Sequence, residues 1–205
     1  MKLLKKIFLL SVIILLTSCA SGYKTINPNS LNYISNSTDK GVLLEYKYEL
    51  LEKKYEKKEL AKGVRLIAIK ITNNSDKDLV FGKDIKLAYG NESNLYIMDN
   101  EKVFKTLKQS PASYLWYLLL TPLNLYTTES TNGYRTETNS IPIGLVVGPG
   151  LAGGNMIAAG SANKKFEQDL MNYNINGKII KKGETTSGLI GVRSDNYDAI
   201  QIEVK

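Results

Sequence analysis

The chain of 205 residues contains no histidine and only one cysteine, Cys19. Histidine is the commonest general base and the commonest metal ligand, so its absence excludes Ser-His-Asp hydrolases and histidine-ligated zinc enzymes. A single cysteine forms neither an intrachain disulfide nor a cysteine-rich zinc site. Any catalysis would depend on carboxylates, lysine, arginine, tyrosine or serine. We therefore predict that the protein is not an enzyme and that it holds no cofactor and no metal ion.

The chain also has few signs of nucleotide or nucleic-acid binding. Its formal net charge is +7, but the densest basic stretch, residues 52–59, mixes lysines with glutamates, which is typical of a solvated surface. Residues 148–153 formally match the glycine pattern of dinucleotide-binding loops. No parallel strand–helix–strand repeat surrounds them, and Pro149 makes the turn rigid. We therefore expect no nucleic-acid partner and no nucleotide.

The first 18 residues have the three parts of a secretory signal. Three lysines precede a largely apolar run, residues 7–16, and small residues follow it. A helix of ten residues is roughly 15 Å long, which is too short for a hydrocarbon core of about 30 Å. The segment therefore predicts export and removal of residues 1–18 rather than a permanent transmembrane anchor.

The junction Leu16-Thr17-Ser18-Cys19 resembles the lipobox of bacterial lipoproteins, an aliphatic residue and two small residues before a cysteine. The resemblance implies cleavage before Cys19, diacylglycerol on its sulfur and often an acyl chain such as palmitate on the new amino terminus. The membrane is then a partner through the lipid on Cys19, and several acyl chains give stable anchoring. Residues 20–22 lack the aspartate often associated with inner-membrane retention. A cell with an outer membrane would carry the protein there, facing the periplasm or the surface.

The rest of the chain predicts a mainly β domain. Strand-like runs bounded by turn formers lie at 64–72, 79–81, 85–89, 187–193 and 199–205. The last run alternates cleanly, so that Ile200, Ile202 and Val204 are predicted to face inward. The strand, the Asn-Asn-Ser-Asp turn of residues 73–78 and the next strand resemble the immunoglobulin-like antiparallel β-sandwiches common in exported lipoproteins. The resemblance implies such a sandwich over residues 41–205, and it predicts no ligand.

Two stretches precede the first clear strand. Residues 19–40 are rich in serine, asparagine and threonine, and we predict that they form a flexible tether. Residues 42–50 alternate over most of their length and favour a strand. A helical alternative remains there, because one face of a helix would also hold Leu44, Tyr48, Leu51 and Tyr55.

The middle of the chain predicts an apolar, glycine-rich helical insertion at about 110–172. Residues 114–126 contain no charge, and neither do the 23 residues 141–163. A helix over the second run would be roughly 34 Å long, enough to cross a bilayer. Pro142, Pro149 and many glycines would interrupt a helix in water, although membrane helices tolerate them better. Small residues that permit close helix contact recur there every four positions, at Gly150, Gly154, Ala158 and Ala162.

Three structures fit this insertion. The first is a helical hairpin packed against the sandwich or against a second copy. The second is a segment that dips into or crosses the membrane, and the third is a ligand pocket under the hairpin. Aromatic side chains suited to the membrane interface are Tyr114, Trp116, Tyr117 and Tyr126. The candidate residues for association or membrane contact are Tyr114, Trp116, Tyr117, Gly150, Gly154, Ala158 and Ala162.

Together these features predict a lipid-anchored, non-enzymatic cell-envelope lipoprotein whose apolar insertion mediates association with a protein partner or a second copy. The alternative is a membrane-active lipoprotein whose insertion enters the bilayer and supports a pore or transport complex. A third hypothesis is an enzyme or glycan binder that uses carboxylates and exposed tyrosines or Trp116. Tryptophan in an apolar run is more often packed or interfacial than glycan-binding.

Overall fold

The computed structural model describes residues 19–91, 93–131 and 134–205. The predicted signal segment, residues 1–18, lies outside the described residues. The described chain forms two compact units. Unit 1 consists of the residues up to Gly22 and of Gln109–Ala162, and unit 2 consists of Tyr23–Lys108 and Asn163–Lys205.

Strands and helices are interspersed along the described residues. The strands are β1 (Ser35–Asp39), β2 (Val42–Lys47), β3 (Val64–Asn73), β4 (Leu79–Val80), β5 (Ile85–Tyr89), β6 (Ile97–Met98), β7 (Leu125–Thr131), β8 (Tyr134–Ile141), β9 (Ile179–Ile180), β10 (Thr185–Arg193) and β11 (Ile200–Val204). The α-helices are α1 (Lys53–Lys62), α2 (Asn100–Leu107) and α3 (Gly144–Asn172). Two 3-10 helices are η1 (Pro28–Ser30) and η2 (Pro111–Leu120).

Unit 2 contains a five-stranded antiparallel sheet in the order β1-β2-β3-β10-β6, and two-stranded pairs of β5 with β11 and of β4 with β9. Its core takes side chains from both β3 and the β5–β11 pair, so the two sheets enclose one apolar layer. In β11, Ile200, Ile202 and Val204 are buried and the residues between them are exposed. The predicted inward face of this strand is confirmed.

Strand β3 is apolar almost throughout because both of its faces are covered. Ile67, Ile69 and Ile71 belong to the core between the sheets, whereas Leu66 and Ala68 are also buried but lie on the opposite face. The turn predicted at 73–78 is confirmed, since β3 ends at Asn73 and β4 begins at Leu79.

The fold is mixed and sheet-rich, whereas the sequence predicts a mainly β one. The difference in unit 2 comes from α1 and α2. Helix α1 consists largely of lysine, glutamate and other good helix formers. Its buried residues are only Tyr55 and Glu59, so it lacks the apolar stripe from which a helix is predicted. Its C-terminal end at Lys62 is capped by Gly63, whose φ of 58° is left-handed. The strand prediction holds for residues 42–47, while Tyr55 belongs to the helix.

Residues 19–40, predicted to form a flexible tether, are instead built into the fold. The carboxylate of Asp169 accepts hydrogen bonds from the Tyr23 hydroxyl at 2.9 Å and from the Ile26 amide at 2.7 Å. The Tyr23 ring packs against Phe166 with 5.3 Å between the ring centroids, and Ile26 is buried. β1 then pairs with β2. The polar composition predicted a tether, and it could not reveal that Asp169, far along the chain, binds this segment.

The insertion also differs from the predicted helical hairpin. Its first apolar run forms η2, and the polar residues after it form the antiparallel hairpin β7–β8. Only the second run is α-helical, and Pro149 lies inside that helix. The last ten residues of α3, from Asn163, belong to unit 2.

Asn73 generates the first testable prediction, because its fully buried side chain joins the turn after β3 to the backbone of β9. Its amide donates to the Lys77 and Ile180 carbonyls at 2.8 and 2.9 Å, and its oxygen accepts from the Ser75 amide at 3.0 Å. We expect Asn73→Ala to lower the free energy of unfolding by about 2–4 kcal/mol, because buried carbonyls lose their donors. Urea unfolding measures the loss.

The matched control for this substitution is Asn91→Ala. Asn91 is exposed, and its side chain makes the same local turn by accepting from the Ser93 amide at 3.1 Å. We expect a loss below about 1 kcal/mol, as for an exposed hydrogen bond. Equal losses for the two substitutions would show that the bonds from Asn73 to Lys77 and Ile180 contribute nothing.

Candidate functional site

The apolar core of unit 1 begins in η2, where every third residue faces inward. Tyr114, Tyr117 and Leu120 follow the three-residue period of a 3-10 helix, and the two tyrosines are buried. Their rings stack with an interplanar angle of 4°. Pro111 lies at the start of the helix, where a missing amide hydrogen costs little. The residues between the tyrosines, Leu115 and Trp116, point outward.

Helix α3 packs on this surface through a stripe of small residues. Ala152 and Ala159 are buried with Tyr114 and Tyr117 in one cluster. One turn closer to the start of the helix, a side chain at Gly148 would lie 2.8 Å from the Thr121 hydroxyl and 3.1 Å from the Tyr117 carbonyl. At Gly144 it would collide with the backbone of residues 120–123. Only glycine therefore permits the start of α3 to approach the end of η2 this closely.

The residues just after Cys19 are fastened to the same unit. The Ala20 amide donates a short hydrogen bond to the Asn155 side chain, and Ala20 packs against the tyrosine–alanine cluster. The Ser21 amide donates to Gln109 at 3.1 Å, and the Gln109 amide returns a bond to the Ser21 carbonyl at 2.7 Å. Asn155 is itself oriented by a bond from its amide to a helix carbonyl. We call the bonds of Asn155 and Gln109 to these two residues the Ala20–Ser21 clamp. Cys19, which is exposed, directly precedes it in the chain.

The outside of unit 1 is covered with large apolar side chains. Trp116 is 74 % exposed and Ile157 is 75 % exposed. Unit 1 holds fourteen of the twenty exposed large apolar residues of the described chain, namely Leu115, Trp116, Leu118, Leu119, Leu123, Leu125, Tyr126, Ile141, Ile143, Leu145, Val146, Val147, Leu151 and Ile157. Soluble monomers rarely leave so many large apolar side chains exposed in one unit without an interaction that covers them. We call these residues the apolar surface.

Charge is almost absent from the same unit. Between Gln109 and Ala162 the sequence contains only Glu129, Arg135 and Glu137, all in the hairpin β7–β8. Lysine resumes at Lys164, in the part of α3 that belongs to unit 2. The apolar surface therefore has no charged side chain on η2 or on the unit 1 part of α3.

Among the candidate contact residues, the structure separates those that build unit 1 from those that face outward. Tyr114, Tyr117 and Ala162 are buried. The exposed members are Trp116, Gly150, Gly154 and Ala158. An added side chain at Gly150 or Gly154 would meet nothing within 4 Å.

The predicted ridge of small residues is therefore mostly the outer face of α3. The stripe that packs inward has the same four-residue spacing but is offset by two positions, at Gly144, Gly148 and Ala152. Sequence reasoning did not identify this stripe, nor the clamp residues Gln109 and Asn155. The spacing of the glycines was the one available signal, and it fits both stripes.

Helix α3 is also long and apolar enough to cross a bilayer by length and composition. Its most apolar stretch of 18 residues has a mean hydropathy of 1.2, and 22 % of that stretch is buried. The core helix of a soluble protein can pass the same test, so the low burial is the more informative of the two values.

Among the described residues of unit 2, Glu59 is a buried acid with a raised pKa. The Glu59 side chain is 1 % exposed, and its carboxylate accepts a hydrogen bond from the Leu66 amide at 2.6 Å. Burial raises the pKa of Glu59 to about 7, although the Leu66 bond and the positive charge of Arg65 lower it. Arg65 is buried as well and donates to the Asp195 carbonyl at 2.7 Å. Across the described residues, no three or more Cys, Asp or Glu side chains are placed to hold a metal ion.

Helix α3 contains glycines packed against η2 and glycines that face open space, and this difference leads to a second prediction. We expect Gly148→Ala to destabilise unit 1 by about 1–3 kcal/mol, because the added methyl group would overpack the contact with Thr121 and Tyr117. The matched control, Gly154→Ala, places its methyl group in open space, and it should stabilise the helix by about 0.5–1 kcal/mol. Unfolding in urea, followed by the fluorescence of Trp116 within η2, reports both changes. Equal effects of the two substitutions would contradict the packing described here.

Glu59 leads to a third prediction. The pKa of Glu59 is higher in the folded chain than in an unfolded one, so the folded state binds more protons between these two values. The free energy of unfolding should therefore fall by about 2–3 kcal/mol between about pH 5 and about pH 8 because of this residue. Urea unfolding at several pH values measures this slope. In Glu59→Gln the contribution should vanish, and an unchanged slope would show that Glu59 is not its source.

Comparison of the chain with protein-family models, with curated proteins and with solved structures finds no match. The function proposed below therefore rests on the residues and the geometry of the chain itself.

Proposed function

We propose that this protein is a lipid-anchored, non-enzymatic lipoprotein of the cell envelope, and that unit 1 mediates its association with another protein or with a second copy. Its location would be the cell membrane, held by the lipid on Cys19. In a cell with an outer membrane it would lie there, facing the periplasm or the surface. We further propose that the antiparallel sheets of unit 2 are a variant of the immunoglobulin-like sandwich.

The observation that carries this function is the apolar surface of unit 1. Its exposed leucines, valines and isoleucines have no charged neighbours on η2 or on the unit 1 part of α3. The outer face of α3 adds Gly150, Gly154 and Ala158, where another helix could approach the backbone closely. An apolar face of this kind is stabilised when a partner removes it from water.

The alternative function is membrane activity, in which unit 1 enters the bilayer and supports a pore or transport complex. The length and apolar composition of α3 favour it, together with the low burial of its most apolar stretch. The two functions differ in what lies against the outer face of α3, which is protein in the first and lipid or a pore in the second.

The lipid anchor is tested by metabolic labelling. In the cells that produce the protein, an alkyne analogue of palmitate should label the wild-type chain and leave Cys19→Ala unlabelled, because Cys19 is the only cysteine. Fractionation of the same cells should find the wild-type chain in the membrane fraction. Equal labelling of the two chains would refute the anchor.

Protein association is tested with a thiol on the outer face of α3. In the mature protein the sulfur of Cys19 would carry lipid, so Ala158→Cys introduces the one free thiol. If the partner is a second copy, mild oxidation should then yield a disulfide-linked dimer. If the partner is a different protein, a bifunctional reagent that reacts with the thiol should yield a discrete adduct with it. The control Tyr96→Cys places the thiol at an exposed site of unit 2. Absence of any product specific to Ala158→Cys would refute association through this face.

A further inference from the structure

We propose that the bulky residues of the apolar surface on η2 and at the start of α3 enter the same membrane leaflet that holds the acyl chains of Cys19, so that the protein contacts the bilayer twice. This inference rests on the proposed lipid anchor and names the environment of unit 1. The ligand is the acyl region of a phospholipid leaflet. Small residues on the outer face of α3 remain available to a protein partner within or above that leaflet.

The first argument is the length of chain between the lipid and unit 1. The Ala20 amide is held by Asn155, and Ala20 packs against the core of unit 1. Consecutive Cα atoms are about 3.8 Å apart, so the lipid-bearing residue lies within one residue's length of that core. A flexible chain of 20 residues would have placed the body roughly 25 Å away on average. The Ala20–Ser21 clamp removes that separation and brings unit 1 to the membrane surface.

The second argument is the chemistry of the surface that is brought there. Bulky apolar side chains project from η2 and from the start of α3, among them Leu119, Leu145 and Val146. Trp116 and Tyr126 are exposed in the same unit, and their amphipathic rings suit the level of the lipid headgroups. Aspartate, glutamate, lysine and arginine, which oppose entry into hydrocarbon, are absent from η2 and from residues 144–162.

The third argument is the contrast with unit 2. Six exposed large apolar residues belong to unit 2, and they are scattered singly along its sequence. Single exposed apolar residues are normal on a soluble surface. The apolar surface and the lipid attachment site therefore belong to the same compact unit, as a shared membrane contact requires.

The sole tryptophan of the chain makes the test direct. The mature, acylated protein is reconstituted into vesicles of phosphatidylethanolamine and phosphatidylglycerol, with and without bromine in the middle of the acyl chains. Trp116 is strongly exposed within unit 1. We expect its emission to shift to the blue on vesicle binding and to lose intensity when the lipid is brominated, because bromine quenches only nearby indole rings.

The matched control moves the reporter to unit 2 and keeps the anchor. In the double variant Trp116→Phe, Tyr96→Trp, the tryptophan replaces a side chain that is 78 % exposed in unit 2. This protein should bind the same vesicles through its lipid, with emission typical of water and no loss from bromine. Quenching at both positions would indicate non-specific adsorption and would overturn the inference.

The remaining outcomes are also decisive. If the acylated wild-type protein binds vesicles but Trp116 emits as in water, unit 1 stays outside the leaflet and the inference fails while the anchor stands. A blue-shifted but unquenched Trp116 would mean that protein covers the surface, and it would likewise overturn the inference.

Failure of the proposed anchor is seen separately, as equal palmitate labelling of wild type and Cys19→Ala. In that case the inference, which requires acyl chains on Cys19, fails together with the anchor.

Discussion

The close approach of α3 to η2 is the contact on which the arrangement of unit 1 depends. Glycines at 144 and 148 leave no side chain between the helix and the backbone around Thr121, so the buried tyrosines of η2 can pack against Ala152 and Ala159. To this core the helix contributes alanine and glycine rather than leucine. Trp116, most leucines of η2 and the bulky side chains at the start of α3 are left outside, where they form part of the apolar surface. Cores of small residues and lipid-facing large residues are what helix packing in membranes favours.

The segment after Cys19 is held in place by side chains of unit 1 and by Asp169 of unit 2. In unit 1, Gln109 and Asn155 bind the backbone of the two residues after Cys19. In unit 2, the buried carboxylate of Asp169 receives the Tyr23 hydroxyl and the Ile26 amide. A segment with the composition of a linker is thus ordered by long-range hydrogen bonds on both sides of Gly22. With the proposed lipid on Cys19, the anchor would be a short attachment, and the fold would set the distance between unit 1 and the membrane.

Much of the unit 2 architecture could be predicted from local pattern. The alternation in β11, the β-branched run of β3 and the Asn-Asn-Ser-Asp turn each depend on neighbours a few residues away, and the structure contains all three. Helices α1 and α2 were harder to predict, because one is short and highly charged and the other spans only two turns. The candidate contact residues were partly separable by sequence. Trp116 and the tyrosines stood out in the apolar run, but nothing local distinguishes the buried Tyr114 from the exposed Trp116 unless the 3-10 period is known.

The sequence by itself determined the composition, with no histidine and a single cysteine, the strand periods of unit 2 and the nearly charge-free middle segment. Its first residues carry the pattern that predicts a secretory signal. The tertiary structure alone decided which face of α3 packs inward. Both of its small-residue stripes have the same spacing, and the choice between them depends on backbone atoms of η2, more than twenty residues earlier in the chain. It also decided that residues 19–40 fold back onto the body, because the carboxylate and amides that hold them lie about 90 to 145 residues away in sequence. Local composition carries no information about such distant partners.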